Sequence, residues 1–170
     1  MTYQLTRLTE SHPVRAFTCG TRPGAAEIDT YLHASALAEQ AAGLSTVWLA
    51  VDPVATRDEE VIVGYFTLSP VGVRISPAVT AAFALPSVSY AAVGGYLLGR
   101  LGVASNRQGH AYGAALVAAA RKKALALCEE GGGVFLVVDP KNEHLATWYE
   151  GLDFGFRRLD PKRPRLVLKL

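Results

Sequence analysis

Hydrophobic and polar positions alternate along this chain in runs that change period several times. Tyr3, Leu5 and Leu8 mark a short first strand, and after a loop over Phe17–Gly24 the segment from Ala25 to Ala42 takes up helical spacing, with Ile28, Leu32, Ser35, Ala36 and Glu39 recurring at turn-related intervals. Gly43 is placed to stop that helix. Thr46–Val51 and Val61–Leu68 are rich in β-branched and aromatic residues and flank a polar stretch, Asp52 to Glu60, so they predict an antiparallel hairpin. Ser76 can cap a short helix running to Leu85, with Pro77 at its first position, and Pro86 to Gly95 reads as irregular. Tyr96, Leu97, Leu98, Leu101 and Val103 form a buried strand. From Ala114 to Leu127 nearly every residue favours helix, and Gly131-Gly132-Gly133 ends it. Val134–Val138 is a continuous apolar run, which predicts a strand buried on both faces. A short helix from Asn142 to Glu150 follows, and Phe154–Arg157 and Leu166–Leu168 close the pattern as strands.

Strands interleaved with helices in this order predict a mixed α/β sheet covered on both faces. At 170 residues the chain fits one domain, residues 1–170, large enough to bury its own core. Half of its residues are hydrophobic and 19% are charged, a globular balance, and no internal repeat is present. Seventeen basic against fifteen acidic residues leave a net charge of +2, so any nucleic-acid surface must come from local patches rather than from overall charge. Arg7, Glu10, His12 and Arg15 interrupt the first twenty residues, which argues against a secretory signal. Arg121, Lys122 and Lys123 break the Ala-rich helix well short of a membrane span. Cys19 and Cys128 lack metal-ligand spacing and read as free thiols of a reducing cytoplasm.

The centre of the chain is the turn between the strand ending at Val103 and the long helix. Its residues, Asn106-Arg107-Gln108-Gly109-His110-Ala111-Tyr112-Gly113, place two glycines where a strand opens into a helix. The first N–H groups of such a helix have no partner within it and carry the positive end of its dipole, which suits an anion, most often phosphate. Glycine lets backbone approach a bulky pyrophosphate and adopt positive φ. An ordinary strand-to-helix turn has the same local pattern.

Gln108-Gly109-His110-Ala111-Tyr112-Gly113 resembles the Gln/Arg-x-x-Gly-x-Gly/Ala acyl-CoA loop of the GNAT superfamily of acetyl-CoA-dependent N-acetyltransferases, with Ala111 at the first glycine position. Asn142-Glu143-His144-Leu145-Ala146-Thr147-Trp148-Tyr149-Glu150 is similar to that family's Asn-(x)6-Tyr-Glu helix. Phe17-Thr18-Cys19-Gly20, the helix with Tyr31-Leu32, Val63–Ser69 and Leu98-Gly99-Arg100-Leu101-Gly102-Val103 extend the resemblance to the GNAT toxins of bacterial toxin–antitoxin pairs. The resemblance implies a GNAT acyl-CoA N-acyltransferase fold with about six to seven strands flanked by helices. It implies acetyl-CoA as co-substrate with no metal, aminoacyl-tRNA acetylated at its α-amine, and a small ribbon-helix-helix antitoxin as partner, with a homodimer suited to a tRNA. It also assigns residues. Tyr149 is catalytic, Leu101, Val103, Gln108, Gly109, His110, Ala111, Tyr112, Gly113 and Asn142 bind acetyl-CoA, and Arg100 and Trp148 bind substrate. The chain departs from the family at Ala111, and at Gly151 and Asp153 in Tyr149-Glu150-Gly151-Leu152-Asp153-Phe154, where the family has Tyr-Glu-x-x-Gly-Phe.

Acetyl transfer from a thioester needs a held donor, a neutral amine and a proton for the departing thiolate. A phenol with its pKa near 10 can supply that proton, and an α-amine titrating at about 7.7–8.0 needs little help from a base. Glu39, His110 and His144 are the candidate bases. Asn142 suits a helix cap as well as a cofactor contact, Tyr149 a core aromatic as well as an acid, and Arg100 a structural ion pair as well as a phosphate contact. The tail gathers Arg157, Arg158, Lys162, Arg163, Arg165 and Lys169 against Asp160 alone, with Arg74, Arg121, Lys122 and Lys123 adding further basic sites for tRNA. An enzyme acetylating a small amine or a protein N-terminus, and a non-catalytic acyl-CoA-binding module, are the alternative readings.

Overall fold

The computed structural model describes residues 3–53, 61–160 and 162–170, so 54–60 of the expected polar hairpin segment lie outside the described residues. Seven strands form one mixed sheet in the order β1-β2-β3-β4-β5-β7-β6. They are β1 (Gln4–Arg7), β2 (Thr46–Val51), β3 (Ile62–Arg74), β4 (Ala92–Val103), β5 (Phe135–Val138), β6 (Arg157–Arg158) and β7 (Leu166–Lys169). The helices are α1 (Ala25–Thr30), α2 (Ala36–Ala41), α3 (Pro77–Ala82), α4 (Tyr112–Gly131) and α5 (Glu143–Glu150). This is the mixed α/β architecture expected, with seven strands. The residues fall into two compact units, Met1–Ser69 with Gly99–Ala120, and Pro70–Leu98 with Arg121–Leu170.

In the first unit β2 lies antiparallel between β1 and β3, as the hairpin reading required, with a bulge between Ala50 and Val51. The single helix expected from Ala25 to Ala42 is α1 and α2 joined through a π-helical turn, Tyr31–Ser35, which places both Tyr31 and Leu32 in the core. Gly43 ends α2 as expected. It takes φ 73°, while its N–H and that of Leu44 donate to Gln40 O and Glu39 O. Leu8, Phe17, Leu32, Val47, Leu49 and Tyr65 pack into this unit's core.

In the second unit β5 pairs parallel with β4 and antiparallel with β7. All four β5 residues are buried, as the apolar Val134–Val138 run demands, while Val134 precedes the strand and is half-buried. Ser76 caps α3 by accepting from the Val79 N–H at 3.3 Å, although the helix stops at Ala82 rather than Leu85. Val73, Val79, Phe83, Phe135, Val137 and Val167 make the core here.

Other boundaries also differ from the sequence reading, and β3 runs on to Arg74 where the strand was expected to end at Leu68. β4 begins at Ala92, inside the stretch expected to be irregular. Its glycines answer to a packing demand, because a Cβ on Gly95 would lie 2.5 Å from the Phe135 carbonyl oxygen of the paired strand. α4 is longer than Ala114–Leu127 at both ends, and Gly131 is its last residue. Gly132 and Gly133, at φ 81° and 130°, make the break. The closing strand expected at Phe154–Arg157 shrinks to β6, since Gly155 takes φ 87° and the Phe154 N–H turns back to Leu152 O.

Candidate functional site

The first unit builds the strand-to-helix turn. The β4–β5 ladder runs from Gly95 to Leu98, and β4 continues to Val103, so Leu101 and Val103 lie on the extension beyond that ladder. Ala104 is buried and its N–H donates to Val63 O at 3.0 Å, after which Ser105–Arg107 makes one 3₁₀ turn. Gly109 and Ala111 both sit in the left-handed region, at φ 79° and 58°, and α4 starts at the next residue. The Ala115 N–H donates to Ala111 O at 3.1 Å, which leaves the N–H groups of Tyr112, Gly113 and Ala114 without partners inside the helix. No atom lies within 4 Å of where a Gly109 Cβ would sit, so this side of the turn is open.

The Gln108 side chain closes the turn from behind. Its Nε2 donates to Cys19 O at 2.9 Å and to Val103 O at 3.0 Å, which leaves the loop backbone as the part of Gln108 that can meet a ligand. His110 Nδ1 lies 2.9 Å from Gln108 O, and opposite a carbonyl that nitrogen carries the proton. Arg107 pairs with Asp52 at 3.1 Å. Tyr112 rests against Tyr3, whose hydroxyl donates to Ala115 O.

Arg100 makes no ion pair among the described residues, which corrects the structural half of its sequence reading. Its guanidinium lies 5.0 Å from the centre of the Tyr31 ring and donates to Gly99 O. Tyr31 is fixed in turn. It stacks on Tyr65 at 6.5 Å, and its hydroxyl donates to Glu39 at 3.0 Å. Glu39 is therefore engaged with a phenol, while the Tyr65 hydroxyl donates to Ile28 O at 2.7 Å.

The second unit carries Tyr149. Asn142 caps α5, its Oδ1 accepting from the Leu145 N–H at 2.9 Å, so it fills the capping role expected of it. Ala146 and Tyr149 stand on the buried side at i, i+3, and His144 is exposed. Trp148 is half-buried and meets Tyr149 edge to face at 4.8 Å, with Phe156 at 5.6 Å on another side. Burial pushes the Tyr149 phenol above its usual value, so it holds its proton throughout the neutral range. Gly151, one departure from the family motif, is the helix C-cap in right-handed geometry. The left-handed turn falls at Gly155.

Part of the basic tail is neutralised by carboxylates and part is held by neutral groups. Arg158 pairs with both Glu143 and Glu150 of α5 and depresses both carboxyls below their usual range, Arg165 forks onto Asp139 at 2.6 and 2.7 Å, and Lys169 donates to Phe83 O. Arg157 lies over the Phe83 ring and reaches Ala82 O. These carboxylates sit up to 26 residues from their partners, which is why a local charge count found Asp160 alone.

The residues that sequence reasoning missed are those holding the turn from behind. Asp29 on α1 accepts from the Thr18 hydroxyl and the Cys19 N–H, both at 2.8 Å. The Phe17–Gly20 motif was visible, and an acid between Ile28 and Tyr31 on a buried helix face was the available signal. Cys19 itself is 7% exposed, and burial with Asp29 alongside pushes its thiol up to about 12, so it is inert at neutral pH.

Among the described residues no helix is long and apolar enough to cross a membrane. The model of the acetyltransferase (GNAT) family matches residues 22–156, which includes the turn, α4 and α5. The fold is similar to AtaT complexed with acetyl-methionyl-tRNAfMet, at 21% identity and a TM-score of 0.81, covering 99% of this chain and 95% of that one. A tyrosine-to-phenylalanine mutant of KacT matches at 22% identity and 0.79 over 99% and 95% of the two chains, and AtaTR bound with AcCoA at 20% and 0.78 over 98% and 93%. At these identities the likeness speaks for the fold, while the match over residues 22–156 speaks for the family: the chain belongs to the GNAT acetyltransferases.

Proposed function

We propose that this protein is an acetyl-CoA-dependent toxin that acetylates the α-amine of aminoacyl-tRNA, with residues 1–170 acting as one catalytic domain. The observation that carries the reading is the run of unpartnered N–H groups opening α4, behind a turn braced by Gln108. The N–H groups of Tyr112, Gly113 and Ala114, with the helix dipole behind them, receive the pyrophosphate of acetyl-CoA. Holding donor and amine together supplies the larger part of the rate, since well-aligned reactants gain about 7–11 kcal/mol. The amine attacks the thioester carbonyl, the C–S bond breaks, and Tyr149 protonates the departing sulfur and recovers a proton from the ammonium formed on nitrogen. A free α-amine titrating at about 7.7–8.0 is already partly neutral before it attacks, which suits a site whose carboxylate Glu39 is engaged with Tyr31.

The resemblance to AtaT and KacT supports the choice of substrate, AtaT having been captured with acetyl-methionyl-tRNAfMet. It also supports a small antitoxin as the partner, since AtaT is known with the C-terminus of AtaR and KacTA with DNA. One observation favours a second reading, acetylation of a smaller amine. The tail guanidinium groups of Arg158 and Arg165 are already paired and offer little to a phosphate chain.

Incubation with labelled acetyl-CoA and charged tRNA decides between them. Label on the aminoacyl group is the expected result, with Tyr149→Phe reducing turnover by about a hundredfold or more. Label on small amines alone selects the second reading, and binding of acetyl-CoA without any transfer overturns both.

A further inference from the structure

The Phe17–Gly20 motif has no part in the chemistry above, yet it forms a bracket behind the acyl-CoA turn. Thr18 O accepts the Ser105 N–H at 2.8 Å and Cys19 O accepts Gln108 Nε2 at 2.9 Å, so two successive carbonyls of the bracket hold both ends of the segment leading into Gly109. The bracket is fixed from the other side by one carboxylate. Asp29 Oδ1 accepts the Cys19 N–H and Oδ2 accepts the Thr18 hydroxyl, which in turn accepts the Gly20 N–H at 3.0 Å. Gly20 takes φ 86°, and a Cβ there would stand 3.2 Å from the Ser105 Cβ, so the bracket lies hard against the segment it holds.

We propose that Asp29 is a positioning residue for acetyl-CoA: it fixes the Thr18–Cys19 carbonyls, and through Ser105 and Gln108 those carbonyls fix the turn whose N–H groups receive the pyrophosphate. This rests on the functional reading above. An anion held by backbone N–H groups depends on their common orientation, so a loosened turn lowers affinity for the acyl donor while leaving the amine and the proton donor as they were. Asn in place of Asp29 keeps an acceptor for the Cys19 N–H, whereas Ala removes both acceptors.

The test is calorimetric binding of acetyl-CoA together with steady-state kinetics on the full chain. Asp29→Ala is expected to raise the acetyl-CoA Kd and KM by about tenfold or more, with kcat at saturating acetyl-CoA and KM for the amine substrate within about threefold. Asp29→Asn is expected to recover most of the affinity. Because Asp29 acts through Gln108, the double variant with Gln108→Ala binds little worse than the poorer single variant. If Asp29→Ala fails to fold, Thr18→Val removes one arm of the bracket and is expected to weaken acetyl-CoA binding in the same direction. Unchanged Kd in these variants beside normal binding by the unaltered protein overturns the positioning role, as does a loss confined to kcat or a fully additive double variant. No acetyl-CoA binding by the unaltered protein overturns the functional reading, and the proposal falls with it.

Discussion

Replacing Ala111 by glycine separates two effects that coincide at one residue. Ala111 occupies the left-handed region at φ 58°, where an L-residue with a Cβ is disfavoured by about 1–2 kcal/mol. Glycine removes that cost but gives the unfolded chain more freedom, which offsets roughly 0.4–1 kcal/mol. The difference leaves Ala111→Gly more stable by about 0.8 kcal/mol, or a rise in Tm of roughly 2–3 °C for a chain of this size. Urea unfolding checks it, with the midpoint rising at unchanged slope. The strain is already present before any ligand arrives, so relieving it strengthens free and bound protein equally and leaves acetyl-CoA affinity alone. Affinity changes only through the methyl group itself, and a tighter Kd therefore reports the Cβ standing against the pyrophosphate. A lower midpoint in Ala111→Gly refutes the strain argument, because the turn would then have no left-handed residue to relieve.

Gly95→Ala drives a Cβ to 2.5 Å from the Phe135 carbonyl, a contact with backbone that no side-chain rotation relieves, and destabilises by about 3 kcal/mol in urea unfolding. Gly109→Ala makes the contrasting case, since the space is open and only the left-handed cost of about 1–2 kcal/mol applies. The pH profile of kcat/KM rises through the titration of the α-amine at about 7.7–8.0 and stays level to about pH 10. Burial raises the Tyr149 phenol above its usual value, so its proton is lost only at higher pH, and a falling limb between 8 and 10 that disappears in Tyr149→Phe contradicts that upward shift.

Local chemistry made much of this molecule legible. Ser76-Pro77 announced α3, Asn142 announced α5, Gly43 closed α2, and the unbroken Phe135–Val138 run was buried throughout. The losses came where a distant residue decides. Gly94-Gly95 reads as a breaker until β5 is set beside it, and Arg165 reads as a free charge until Asp139 is brought to it. Gln108 shows the same limit within the candidate site, since its motif is recognisable in sequence but its amide points back to Cys19, a residue 89 positions away. Neither period nor propensity contains that contact.

The pairing of Arg158 with Glu143 and Glu150, and of Arg165 with Asp139, fixes how this face behaves as a polyelectrolyte. Two cations and three carboxylates sum to one negative charge, so the patch has no counter-anions of its own to give up when a polyphosphate approaches. Each phosphate neutralised by a protein cation steepens the logarithmic salt dependence of binding by about 0.7–0.9, and these two arginines add nothing to that slope while their partners stay in place. An RNA held by this protein is gripped through other cations, and Arg158 serves instead to brace the helix that carries Tyr149.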